Sequence, residues 1–391
     1  MQTLIELYDE RPMENVLGVE VFRPKKVVYV CPARVCRNKG IHRRLRDYFA
    51  WRGLEVEVEF VRANIYRVDV ILDILRRVVK RCPDSAIDIT GGTDALLFAA
   101  GMLGAEHPIP AFTYSSQKNR FFDILNAPFA EGLPCGVAYS VEACFRMAGG
   151  LLRPGRVDQK SLLERDEDIT RFYNLFLRHR KKWQTLIGYI QRLSYTPPDQ
   201  APKCSVSGAY VVKGDRGSLL EAPEEALRDL ERIGLIRELQ IDRQSGVRFS
   251  FRDLETRLWL RDVGVVLELC VYKTCKNLKL FDDVRLSAVV DWESDGRNNP
   301  VQNELDVMCT RGVTPVFLSC KTGSVKTEAL NELSILRDRF GGRAAKAAVI
   351  TAERSSAIMR SRAAELQIAV IDLEDLNAGR LAKRIRDLTK A

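Results

Sequence analysis

The chain has 391 residues, 46% hydrophobic and 29% charged, with a formal net charge of +9. That length supports about two or three domains with substantial cores, and the composition excludes a disordered or fibrous chain. No apolar run approaches the roughly 20 residues a bilayer span needs, three histidines leave no material for a His-rich metal centre, and a pI near 9.0 favours a polyanionic partner.

In chain order, TLIELYD, VVYVCP, LEVEVEFV, SAIDIT and IPAFTYS read as strands. Between them, IHRRLRDYFAWRG, VDVILDILRRVVKR and TDALLFAAGML carry helical periodicity. This alternation predicts a mostly parallel sheet with helices on both faces over residues 1–150, and NRFFDILNA adds an antiparallel hairpin. The start, MQTLIELYDERP, carries acids early and has no basic leader, so no signal peptide is expected. The ten cysteines show no paired zinc spacing, and Cys31, Cys309 and Cys320 lie in apolar runs. They are expected to be reduced core residues of a cytoplasmic protein.

Residues 151–200 are charged and read as a helical linker that ends at YTPPDQAPK. Residues 201–252 read as a small α+β module, with PEEALRDLERIGLIREL as a helix and LQIDRQSGVRFSF as a hairpin. A helix followed by a hairpin is winged-helix-like. Basic residues cluster at Arg34, Arg37, Lys39, Arg43, Arg44 and Arg46, and again over Arg178, His179, Arg180, Lys181, Lys182 and Trp183. On composition each cluster suits a solvated helix face better than a binding site. Trp183, read as an exposed aromatic, tips the second towards nucleic acid.

Residues 253–391 read as a helix (253–276), strands at 283–292, 303–309 and 316–321, a helix (327–340), a strand (346–351) and a closing αβα. The stretch NELDVMCTRGVTPVFLSCKTG reads as a hairpin. A turn at Gly312-Val313 would pair Asp306 with Ser319 and Glu304 with Lys321, with all four on one face. Two carboxylates and an ammonium in one patch suit a divalent cation beside a phosphodiester better than they suit packing. Glu268, on the preceding apolar helix beside Val265, Leu269 and Tyr272, would be costly there unless paired or metal-bound. The competing reading is a structural Asp–Lys ion pair.

In the first domain, Thr90-Gly91-Gly92-Thr93 lies between a strand and a helix start, where free N–H groups and the helix dipole favour phosphate. The loops Tyr8-Asp9-Glu10-Arg11 and Tyr114-Ser115-Ser116 should reach the same edge, as should Arg34 and Lys39. An ordinary strand-to-helix turn capped by Thr93 is the bland alternative.

The frame around Asp306, Lys321 and Glu268 resembles the PD-(D/E)XK nuclease superfamily over residues 253–352. Ser319 stands where that superfamily has its second acid, two residues before the lysine, and Glu304 or Glu268 is the candidate replacement. The loops of the first domain resemble the CARF sensor of type III CRISPR accessory proteins, although Asp94 follows the TGGT stretch where relatives often carry lysine.

The order of the two halves resembles a CARF-fused effector nuclease. That resemblance implies a fold of an N-terminal Rossmann-like CARF domain (1–150), a helical linker (151–200), a winged-helix-like module (201–252) and a C-terminal PD-(D/E)XK nuclease-like α/β domain (253–391). It also implies a homodimer that binds cyclic oligoadenylate, with the tetra-adenylate ring as the expected form, through Asp9, Arg11, Arg34, Thr90, Gly91, Gly92, Thr93, Ser115 and Ser116. Asp306, Lys321, Glu304 and Glu268 would be catalytic, with Asp306, Glu268 and Glu304 holding Mn2+ or Mg2+ against a DNA or RNA substrate. Rival expectations are a ligand-responsive DNA-binding regulator with an inactive nuclease domain, and a constitutive repair or restriction nuclease.

Overall fold

The structure is a computed structural model that describes residues 1–153, 159–214, 217–291 and 302–390. The last residue of the strand expected at 283–292 lies outside these. The first six strands are β1 (Thr3–Leu7), β2 (Lys26–Pro32), β3 (Glu57–Ala63), β4 (Ser85–Asp88), β5 (Ala111–Ser115) and β6 (Arg120–Leu125). Among the described residues they form a sheet in the order β3-β2-β1-β4-β5-β6. All neighbours are parallel except β6, which returns antiparallel along β5. The strand order reverses between β1 and β4, so their following loops open a crevice at the carboxyl edge.

Strand β7 (Leu151–Arg153) leaves this unit and pairs antiparallel with the edge of the second large sheet. Strands β8 (Ser205–Gly208), β9 (Val211–Lys213), β10 (Leu219–Glu221), β11 (Ile236–Asp242) and β12 (Gly246–Phe251) follow. The helix Glu224–Arg232 leads into the β11–β12 hairpin, and β8 pairs with β12. The second sheet takes β13 (Asp283–Asp291), β14 (Gln302–Arg311), β15 (Thr314–Lys321), β16 (Lys346–Thr351) and β17 (Ile368–Ile371). Its order is β17-β16-β15-β14-β13-β7.

Three apolar cores stack these layers. Helices Val68–Arg81 and Asp94–Glu106 cover one face of the first sheet through Ile71, Leu75, Leu96 and Leu103. A second core joins the two sheets: Leu4, Tyr29 and Phe112 from the first share a cluster with Phe317 and Val349 from the second and with Phe340 of helix Thr327–Gly341. Phe145 on helix Val141–Ala148 bridges them, its ring centroid 5.1 Å from that of Phe340. The third core packs helix Val265–Asn277 and the linker helices on the outer face of the second sheet. Among the described residues, no helix is long and apolar enough to cross a membrane.

Several expectations change. The helix read through IGLIREL ends at Arg232 and the chain enters β11 at Ile236, and Leu151–Arg153 of the expected helical linker is strand β7. The helix read over 253–276 is two helices, Leu254–Trp259 and Val265–Asn277. Asp262 Oδ1 accepts the Gly264 N–H at 2.7 Å and turns the chain between them. Trp183 is 1% exposed, not a surface aromatic. It opens the apolar stripe of helix Trp183–Leu193 and packs edge-on against Phe176, ring centroids 5.1 Å apart.

Candidate active site

In the second sheet the hairpin register pairs Arg311 with Thr314 and Val307 with Leu318. The ladder opens beyond that pair, at Asp306. Its carboxylate replaces the missing backbone partner: Oδ2 accepts from the Cys320 N–H at 2.6 Å, the Ser319 hydroxyl at 3.1 Å and the Lys321 ammonium at 3.3 Å. Oδ1 takes none of these three donors.

The strands turn over at this point. Val284 and Leu286 of β13 pack in the outer core, whereas Ala288 and Val290 pack in the core between the sheets. The changeover falls at Ser287, which adopts a left-handed φ of 48°. On β14, Leu305 and Val307 divide the same way around Asp306. Simple two-residue alternation therefore fails at the residue that matters most.

Glu268 sits in the first turn of helix Val265–Asn277. Its carboxyl is pushed up to about 8, first by burial, then by the charges of Asp306, Asp262 and Glu304, with Lys321 pulling the other way. Burial works to lower Lys321, but the charge and hydrogen bond of Asp306 outweigh it and hold the ammonium above its ordinary value. Glu304 is exposed and reaches Glu268 through its charge. Gly264 leaves room for the carboxylate: a Cβ there would meet Glu268 Oε1 at 2.8 Å.

These residues crowd more negative charge around one point than a single ammonium offsets. Among the described residues, no set of three or more His, Cys, Asp or Glu side chains is close enough to cage a metal ion. A hard divalent cation that keeps several waters needs only one or two carboxylates plus substrate oxygens. Asp306 Oδ1 and Glu268 fit that demand. Ser319, expected opposite Asp306, donates to it, whereas the Cys320 N–H that also orients Asp306 was missed in the sequence, as was Asp262; an aspartate two residues before a helix-opening glycine was the available signal.

At the carboxyl edge of the first sheet, Asp9, Arg11, Thr90 and Gly92 of the expected set come together. Asp9 Oδ2 accepts the Gly92 N–H at 3.0 Å, and the Thr90 hydroxyl accepts the Tyr114 N–H at 2.9 Å. These bonds tie the loops after β1, β4 and β5 together. Arg11 Nε donates to Asp9 Oδ1 at 2.9 Å, and Arg34 pairs with Glu10. Gly92 has φ of 104°, and a Cβ at Gly91 would meet Glu14 Cβ at 2.9 Å, so both glycines are sterically required. Thr93, Asp94 and Ser116 are exposed and Ser115 is half-buried.

Beneath this loop lies a carboxylate group that sequence reading did not find. Glu6 and Asp88 are paired across β1 and β4, each 1% exposed. Burial, ahead of other causes, pushes Asp88 up to about 7 and Glu6 well above the carboxylate range. Asp88 Oδ1 accepts the Thr90 N–H at 2.7 Å. A Cβ at Gly18 would come within 2.3 Å of Asp88 Oδ2 and 2.9 Å of Glu6 Oε1. Glu14, also buried, accepts the Arg343 N–H at 3.4 Å and so touches the second unit.

Residues 255–391 match the Card1-like endonuclease domain family. The whole chain has the fold of protein VC1899 from Vibrio cholerae (TM-score 0.74, 18% identity, covering 100% of this chain and 99% of that one). It equally has the fold of Can2 from Sulfobacillus thermosulfidooxidans, solved in complex with cyclic tetra-adenylate (TM-score 0.71, 17% identity, covering 100% and 99%). No curated protein matches. The whole chain thus shares the fold of these two structures, and residues 255–391 are similar to the Card1-like endonuclease domain.

Proposed function

We propose that this chain is a cyclic oligoadenylate-activated, divalent-metal-dependent endonuclease of type III CRISPR defence, acting on DNA or RNA as a cytoplasmic homodimer. One observation carries the reading: Asp306 and Lys321, 3.3 Å apart, lie at the open end of the β14–β15 hairpin within an endonuclease domain, with Glu268 behind them. Asp306 and Glu268 would hold Mn2+ or Mg2+, and Glu304 would be an outer carboxylate. The cation supplies a more acidic water and a counter-charge for the phosphoryl oxygens. Lys321 orients the attacking water and offsets negative charge on the phosphate, while Ser319 and the Cys320 N–H fix the Asp306 carboxylate.

In the sensor, Arg11, Arg34, Thr93, Ser115 and Ser116 would meet ligand phosphates and ribose, while Asp9, Thr90, Gly91 and Gly92 shape the loop. The arginines are held by acids in the free chain, so ligand phosphate would have to displace Glu10 from Arg34. Because Can2 was solved with cyclic tetra-adenylate, that ring is the first activator to try. Helix Asp94–Glu106 presents Phe98 and Met102, 64% and 38% exposed, beside Gly101. A second copy of the chain would cover that apolar face. The free cysteines, six of them buried, suit a reducing compartment.

The regulator reading draws on Ser319, which leaves the site one carboxylate short. One assay separates the two: labelled single-stranded DNA and RNA with manganese, with and without cyclic tetra-adenylate. Cutting that depends on the ring supports the proposal; ring binding with no cutting of either strand supports the regulator.

A further inference from the structure

The turn Arg180–Lys182 joins helices Asp166–His179 and Trp183–Leu193, and it is fastened on three sides. His179 Nε2 lies 2.8 Å from Asp229 Oδ2, and Arg178 donates to the same oxygen at 3.1 Å, which ties the turn to helix Glu224–Arg232. Arg180 donates to the Ala352 carbonyl at 3.0 Å and to Glu353 at 2.6 Å. The Ala352 N–H in turn donates to the carbonyl of Lys321 at 3.0 Å. The Trp183 indole N–H donates to the Val263 carbonyl at 3.1 Å, in the segment between Asp262 and the Glu268 helix.

The turn therefore bridges the two pieces of chain that deliver Lys321 and Glu268. Two side chains are left over. Lys181 and Lys182 are exposed, and among the described residues neither has an ion-pair partner. Their surroundings do not neutralise them: Arg178, Arg232 and His179 all share the single carboxylate of Asp229. Several cations held rigidly together repel one another, and a polyanion relieves that repulsion.

We infer that Lys181 and Lys182 bind the phosphate backbone of the nucleic acid as it crosses the Asp306–Lys321–Glu268 site. The inference deepens the nuclease reading and rests on it. Lysine offers a point charge without base readout, so the contact is independent of sequence. It also gives the linker a substrate role that its helices alone do not have.

The test compares the Asp306→Ala chain with the same chain carrying Lys181→Glu and Lys182→Glu. Binding to fluorescein-labelled single-stranded DNA and RNA is followed by anisotropy over a salt series, with cyclic tetra-adenylate present. We expect the double change to weaken binding about tenfold and to flatten the plot of log K against log salt by about 1.4, roughly 0.7 per lost phosphate contact. Lys181→Arg with Lys182→Arg should restore both, and unchanged ring affinity shows that the variants are folded. In the cutting-competent chain, KM should rise while kcat stays within about twofold. Unchanged affinity and slope, in a chain whose parent binds the oligonucleotide, overturn the assignment. A wild-type chain that neither binds nor cuts nucleic acid overturns the nuclease reading, and the lysine assignment with it.

Discussion

The sensor edge and the nuclease site meet the problem of buried charge in opposite ways. Around Thr90–Thr93 the polar groups are already satisfied from within: Asp9 by Arg11 and Gly92, Thr90 by Tyr114, Arg34 by Glu10. Below them Glu6 and Asp88 are pushed up, first of all by burial. Around Asp306 the charge is unbalanced, and a carboxyl pushed up to about 8 stands beside other acids. A satisfied site has to be reopened by its ligand, which suits a switch. A frustrated site gains by taking up a cation, which suits catalysis.

The sharpest way to break this contrast is Asp306→Ala. It should lower ring-stimulated cutting on the order of a thousandfold while leaving ring affinity unchanged. Cutting at a tenth or more of the wild-type rate would remove Asp306 from the centre of the site.

The second test concerns protons. The folded-state value of Asp88, about 7, lies above its ordinary 3.8, so the folded chain binds that proton more tightly. Its stabilising contribution is complete below the ordinary value and is lost as pH rises through about 7. Asp88→Asn keeps an acceptor for the Thr90 N–H and should flatten that pH dependence. Above neutral pH it should stabilise the fold, on the order of 4 kcal/mol. Melting temperatures recorded from pH 5 to 8 check this, and parallel curves for the two chains would contradict it.

Arg34→Ala should weaken cyclic tetra-adenylate binding about tenfold, whereas Glu10→Ala, which frees Arg34, should tighten it a few-fold. Calorimetry reads both, and weaker binding by Glu10→Ala would show that the pair does not hold the site closed. The smallest effect is expected from Glu304→Gln, below about threefold in kcat, since an exposed carboxylate acts there through screened charge. A loss as large as that of Asp306→Ala would make Glu304 a direct ligand and would restore the acid missing at Ser319.

Much of the fold could be read because its elements are locally marked. The helix Val68–Arg81 has the bounds its periodicity predicts, and the hairpin around Gly312 has the predicted register. What escaped was set by distant contacts. Leu151–Arg153 is too short to show alternation and becomes a strand only because β13 pairs with it. Trp183 looked exposed beside its basic neighbours, yet it starts the apolar stripe of the next helix. Glu6 sits in an otherwise apolar strand, and only the opposing Asp88 reveals a carboxylate pair. At Asp306 the residue types were legible. The turnover of the strand at Ser287 was not, because a left-handed serine leaves no composition signal.

Strand β7 also bears on how the molecule can be divided. A fragment that begins near residue 255 would contain the whole matched endonuclease family segment, yet it would strip Leu151–Arg153 from β13. The bared N–H and C=O groups of β13 would then be free to recruit a strand from a neighbouring molecule. Gel-like or insoluble behaviour of such a fragment would report a missing selvedge, and would say nothing against its chemistry.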